Sequence, residues 1–90
     1  MKHEFKCIKS WIVENPDGTK VEISLGDKVR VKVDEKRVDL NNSPLGEKYN
    51  NPMDFQVTSL SKLKFVGRCL NHLSVYFYLT PKDIIEIKKL

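Results

Sequence analysis

Apolar and polar residues alternate along three stretches of this chain, and no long stretch repeats with the 3.6-residue period of an amphipathic helix. Val, Ile and aromatic residues crowd those stretches. Together these patterns predict an all-β, mainly antiparallel domain of five to six strands. The first stretch, "WIVENPDGTKVEISL", carries Asn15-Pro16-Asp17-Gly18 at its centre. Pro16 presets φ for a turn and Gly18 supplies a left-handed position, so a hairpin with Pro16, Asp17 and Gly18 as its loop is expected. That loop sets Val13 opposite Val21, Trp11 opposite Ile23 and Glu14 opposite Lys20, giving one apolar face and one polar face.

The second stretch is "LGDKVRVKVD". Gly26-Asp27 marks a turn; Val29, Val31 and Val33 then share one face, and Lys28, Arg30 and Lys32 the other. Two readings of the cationic face stand side by side. It keeps the outer surface wet and discourages edge pairing, or it forms a row of phosphate contacts. "RVDL" is expected to fold back across a four-residue loop, Asp34 to Arg37, setting Val33 against Val38 and Val31 against Leu40. From Asn41 to Asp54 the alternation stops. Asn, Pro, Ser and Gly there predict a long loop, with a helical turn starting at Ser43-Pro44.

Alternation resumes in "DFQVTSLSKLKFVGRCL" and "LSVYFYL". Ser59 and Ser61 mark a break between two strands. For the aromatic hairpin, a two-residue turn at Asn71-His72 would set Val75 opposite Arg68 and Leu79 opposite Lys64. A three-residue loop (Leu70, Asn71, His72) instead sets Gly67 opposite Val75, Phe65 opposite Phe77 and Leu63 opposite Leu79. Burying Phe77 alone is worth roughly 1.5–3 kcal/mol, which favours the second register. It sends Leu73, Val75, Phe77 and Leu79 inward and needs His72 in a left-handed conformation. Gly67, on the buried side, marks a bend or bulge. Outward, Arg68 faces Ser74, Val66 faces Tyr76, Lys64 faces Tyr78, and Lys62 extends the row toward Thr80. The chain ends in "TPKDIIEIKKL", which reads as a capped single 3₁₀ turn and a last strand.

Ninety residues, 40% of them apolar and in short runs, suit one folded domain spanning 1–90. The formal charge of +4 allows either an ordinary solvated surface or a polyanionic partner. "MKHEFKCIKSW" has no apolar core of signal-peptide length, and no apolar run is long enough to cross a bilayer. A cytoplasmic location with no membrane partner is therefore expected, with Cys7 and Cys69 reduced. Cys69 reads as a small core filler.

Chemistry-bearing motifs are sparse. There is no glycine-rich phosphate loop, no GxSxG and no HExxH. Cys7, Cys69, His3 and His72 lack metal or triad spacing, so no enzyme activity, no metal site and no cofactor is expected. Asp34, Glu35 and Asp83 stand at turn or cap positions. The sharpest feature is the outward set Lys62, Lys64, Arg68, Tyr76 and Tyr78. Aromatic faces on a sheet stack bases while cations follow the backbone, so single-stranded nucleic acid is one partner class. Another protein is the alternative, since Tyr and Arg are common interface anchors. A third reading has the tyrosines cover neighbouring Lys and Arg stems and pack under the 41–54 loop.

"SLGDKVRVKV" is similar to the opening of KOW-type and related small barrels, without the later glycine spacing of that motif. The whole chain, and "VGRCLNHLSVYFYLTPKDIIEIKKL" in particular, resembles small SH3-like β-barrel proteins carried on bacterial conjugative and other mobile elements. The resemblance implies a five-to-six-stranded SH3-like barrel and a non-enzymatic binding module, with no catalytic residues. An Sm-like barrel is a related architecture and would imply a ring.

Overall fold

The computed structural model describes residues 8–41, 46 and 48–90. Seven strands and one short turn of helix follow in order: β1 (Ser10–Glu14), β2 (Lys20–Ser24), β3 (Lys28–Val33), β4 (Met53–Leu60), β5 (Phe65–Cys69), β6 (Tyr76–Leu79), a 3₁₀ turn (Pro81–Asp83) and β7 (Ile84–Lys89). The domain is all-β and antiparallel. β1 and β2 form a two-stranded sheet, and the other five form a second in the order β6-β5-β4-β3-β7. The seven strands among the described residues exceed the expected five to six, and their pairing forms two sheets and no closed ring.

The first hairpin has the register its turn dictates, with Trp11 opposite Ile23, Val13 opposite Val21 and Glu14 opposite Lys20. Gly18 takes φ 87°, the left-handed value a side chain resists. Trp11 and Ile23 are buried, and Trp11 Nε1 donates to the Ser61 carbonyl at 2.6 Å. The hairpin is tied to the larger sheet by backbone bonds, Gly26 N–H to Val57 O at 2.8 Å and Ile8 N–H to Leu60 O at 2.9 Å.

β3 is buried on one face only: Val29, Val31 and Val33 are each fully inaccessible, while Lys28, Arg30 and Lys32 are exposed. Its partners are not the expected "RVDL" segment. β3 pairs with β4 on one side and β7 on the other. Residues 34–38 close on themselves instead, with Arg37 and Val38 N–H both donating to the Asp34 carbonyl. Apolar content alone does not name a strand's partner, and here the longer strands β4 and β7 supply more backbone pairing. Leu40 is buried all the same.

The aromatic hairpin departs from expectation by two residues. Phe65 lies opposite Leu79, Val66 opposite Tyr78, Gly67 opposite Phe77 and Arg68 opposite Tyr76. The loop is longer than three residues, closed by Cys69 N–H to Val75 O and Val75 N–H to His72 O, both 2.9 Å. Among the described residues no non-glycine has a positive φ, so His72 is not left-handed. A two-residue shift keeps Phe65, Phe77 and Leu79 on the same face, so strand parity does not discriminate between the registers. Gly67 is tightly confined. A Cβ on Gly67 would lie 2.7 Å from Phe65 Cε1 and 2.9 Å from Phe55 Cγ. Gly67 is where two rings cross the sheet, and Phe77 faces it. The bulge expected near Gly67 falls on the facing strand, between Val57 and Ser59.

The shift leaves Leu63 and Leu73, both expected inside, at 63% and 60% exposure. Leu79 is buried, and Val75 and Phe77 pack partly against the core. Phe55, Phe65, Leu60 and Ile87 complete that core, each with no exposed area. Cys69 is buried within it as a filler, and burial pushes its thiol up to about 11.

Two asparagines finish the fold. Asn15 is 6% exposed; its Nδ2 donates to the Ile87 carbonyl and its Oδ1 accepts from Ile87 N–H, each at 2.9 Å. Asn51 does the same to Val33, with Nδ2 to the carbonyl at 2.9 Å and N–H to Oδ1 at 3.0 Å. Each amide substitutes for one residue of a neighbouring strand. Both asparagines precede proline, which holds them extended.

The 3₁₀ turn is formed as the "TPKD" pattern predicts. Asp83 Oδ2 accepts from the Thr80 N–H at 2.9 Å and from its hydroxyl at 3.0 Å. Burial pushes the Asp83 carboxyl up. The Thr80 N–H, the Arg37 guanidinium at 2.8 Å and the Thr80 hydroxyl outweigh that and hold it below its ordinary value. His3, Cys7 and the helical turn expected at Ser43-Pro44 lie outside the described residues.

Candidate functional site

The outer face of the five-stranded sheet is built by strand parity. Residues opposite one another across an antiparallel ladder point the same way, so register alone assembles the face. One row crosses four strands: Tyr76 on β6, Arg68 on β5, Gln56 on β4 and Lys28 on β3. At about 4.8 Å per strand it spans roughly 14 Å. A second row sets Asp54, Arg30 and Lys88 side by side, and a third pairs Lys32 with Glu86. Tyr78 stands opposite Val66, with Lys64 Nζ 5.6 Å from its ring centroid.

Six cations therefore share this face with two carboxylates and two tyrosines. The carboxylates already have partners. Asp54 takes Arg30 Nε at 2.8 Å, an ion pair that raises the guanidinium's pKa further, and Glu86 takes Lys88 at 3.4 Å. Lys28, Lys32, Lys64 and Arg68 remain without a carboxylate among the described residues. Arg68 is held in place by Gln56, its Nη2 donating to Oε1 at 2.9 Å. Its Nε is buried without an acceptor.

The two tyrosines are exposed, Tyr76 by 45% and Tyr78 by 65%. The described part of the 41–54 loop lies elsewhere. Tyr49 packs edge-on against Phe77 at 5.0 Å and against His72 at 6.2 Å, over the inward-facing side of β6. The loop segment thus shields Phe77 and leaves Tyr76 and Tyr78 open. Successive same-face residues on a strand are about 6.8 Å apart, twice the ~3.4 Å rise of stacked bases, which is room for one base between the rings.

Four of the five expected site residues, Lys64, Arg68, Tyr76 and Tyr78, come together on this face. Lys62 does not join them. It precedes β5 and lines a groove of about 430 Å³ on the hairpin side, with Trp11, Ile12, Pro81 and Ile84. The cationic row of β3 and Lys88 on β7 were absent from the expected patch. Lys28, Arg30 and Lys32 were recognisable as an outward row, but nothing local in the sequence joins them to β5 and β6 through β4.

Comparison with protein-family models, with curated proteins and with solved structures finds no match to this chain. Among the described residues no cluster of three or more His, Cys, Asp or Glu is placed to hold a metal ion, and no helix is long and apolar enough to cross a membrane.

Proposed function

We propose that the protein is a non-enzymatic binding module that holds single-stranded nucleic acid on the outer face of its five-stranded sheet, in the manner of an accessory protein of a bacterial mobile element working in the cytoplasm. The observation that carries the reading is the placement of two open tyrosine rings and four unpaired cations on one face. Rings stack on bases of any sequence, and cations follow the backbone by releasing counterions. We also read the two sheets as an SH3-like barrel. The backbone bonds from Gly26 to Val57 and from Ile8 to Leu60, with the Asn15–Ile87 link, support it by joining hairpin and sheet along both sides.

Fluorescence anisotropy with a labelled 15-nucleotide single strand tests the reading. Four neutralised phosphates give a log K against log[salt] slope of about −3. Tyr76→Ala with Tyr78→Ala should weaken binding by about 1–3 kcal/mol per ring. No binding even at low salt overturns the reading. A protein-interaction surface is the second reading, favoured by Leu63, which stands 63% exposed beside Lys64. It predicts that the tyrosine variants lose a protein partner while oligonucleotide affinity is absent throughout.

A further inference from the structure

Beyond the sheet face, at the end where β4 begins and β5 ends, lies a separate pocket of about 240 Å³. Its buried walls are Met53 and Cys69, and the rings of Tyr49 and His72, in edge contact with each other at 6.2 Å and 81°, form part of its lining. Asn50 and Asn71 line it from two loops, and no hydrogen bond ties either side-chain amide among the described residues. Lys48 and Asp54 also line it. Their charges are already matched, Lys48 by Glu35 at 3.1 Å and Asp54 by Arg30 at 2.8 Å.

We propose that this pocket takes a single nucleobase. The volume is below the roughly 300 Å³ at which drug-sized sites begin, so it admits one small planar group. With both charges paired, what remains on offer is two amides and two rings. That suits an uncharged heterocycle, not a phosphate. Amides present the donor and acceptor pairs that match the hydrogen-bonding edge of a base, and the Met53 and Cys69 wall with the adjoining Tyr49–His72 ring pair gives one of its faces a surface to lie on. Asp54 belongs both to the pocket and to the outer face, where Arg30 is its neighbour and the Arg68–Tyr76 pair is one row away. A strand that follows the cations across the sheet meets the pocket mouth with its next nucleotide. The inference rests on the single-strand reading for that path, but the pocket's chemistry is equally that of a free nucleoside. The two sources separate by experiment.

The test is a ¹H–¹⁵N titration of the full chain with adenosine, guanosine, cytidine and uridine, which carry no phosphate, and then with 15-nucleotide single strands of each base. Expected are shifts of the Asn50 and Asn71 side-chain amides and of the His72 ring with at least one nucleoside, with Kd on the order of millimolar. The strands should rank in the same base order. Asn50→Ala with Asn71→Ala changes two exposed loop side chains, so the fold should persist. It should abolish the nucleoside-induced shifts of His72 and of the backbone amides around the pocket, and lower affinity for the favoured strand at least fivefold, with the salt slope unchanged. Nucleosides that shift none of these signals, or shifts that survive in the double variant, overturn the pocket even if strands bind the sheet. Nucleosides that bind where strands do not leave the pocket standing as a free-nucleoside site and overturn the strand reading of the face.

Discussion

Replacing Asn15 tests the reasoning about the fold most directly. Its amide makes two 2.9 Å bonds to the N–H and C=O of Ile87, and the residue is 6% exposed. Asn15→Ala leaves both backbone groups without a partner. Each buried orphan costs about 1–3 kcal/mol. The site lies at a sheet edge, where water can enter once the amide is gone, so the expected loss is about 2–4 kcal/mol. In a domain of this size that lowers Tm by about 10–25 °C, read by thermal circular dichroism. Asn15→Asp sharpens the test. Aspartate keeps the volume and the acceptor for Ile87 N–H, but when ionised it sets an oxygen against the Ile87 carbonyl. Protonated, it donates there as the amide does. Its folded-state pKa is therefore raised, so its contribution is present below the ordinary aspartate value and lost as pH climbs through the raised one. The Asp variant should gain stability relative to Asn15→Ala on acidification from pH 7 to 4. An Ala variant within 0.5 kcal/mol of the parent, or an Asp variant that tracks the Ala variant at every pH, would refute the argument.

Gly67→Ala should cost about 1–3 kcal/mol by overpacking, because the added methyl meets Phe65 and Phe55 at under 3 Å; urea unfolding at a fixed m-value measures it. In a Cys7→Ser background, Cys69 should resist thiol reagents at pH 8 until the protein unfolds. Its thiol is held up to about 11 by burial, so the stability it confers is complete below the ordinary value of 9.0 and lost as pH rises from there to about 11. Cys69→Ala should remove that alkaline decline. Asp83→Asn loses the Arg37 pair and weakens the Thr80 cap, costing about 1–2 kcal/mol at pH 7. Because the Asp83 carboxyl lies below its ordinary 3.8, its contribution is present above that value and fades as pH falls through the lowered one. The Asn variant and the parent should therefore converge in strong acid.

Hydrophobic alternation was a guide to facing within the strands, failed at Leu63 and Leu73 beyond their ends, and was a poor guide to what lies beside them. The β1–β2 register followed from the turn, because Pro16 and Gly18 fix the loop length and nothing else is free. The β5–β6 register did not. Its loop carries no glycine or proline, and a slip of two leaves Phe65, Phe77 and Leu79 on the same face. In the observed pairing Phe77 faces Gly67 and packs against Phe55 from β4 at 5.5 Å, a contact between strands that are not neighbours and that alternation does not encode. The same limit governed the candidate site. Outward orientation of Tyr76, Tyr78, Lys64 and Arg68 followed from parity, while their union with Lys28 and Arg30 depended on β4 lying between β5 and β3. The pocket escaped notice because Tyr49, Asn50, Asn71 and His72 come from two irregular loops, where no period exists to read. Asn15 and Asn51 were hidden for a related reason: Asn-Pro reads as a turn, and a turn residue is not expected to complete a sheet.

The proline after each of these asparagines also bears on how the protein ages. Asparagine deamidates mainly when the next residue's backbone nitrogen attacks the side-chain carbonyl, expelling ammonia through a cyclic imide. Proline has no N–H to lose and closes that route. At Asn15 and Asn51 the product would be an aspartate aimed at a backbone carbonyl, the charge these positions tolerate least. Asn50 and Asn71 are followed by Asn51 and His72, which leave the route open. Slow chemical damage is thereby steered away from the two amides that tie down strand backbone, one between the sheets at Ile87 and one within the larger sheet at Val33, and toward the exposed loops, so an old molecule would lose its pocket chemistry before it lost its fold.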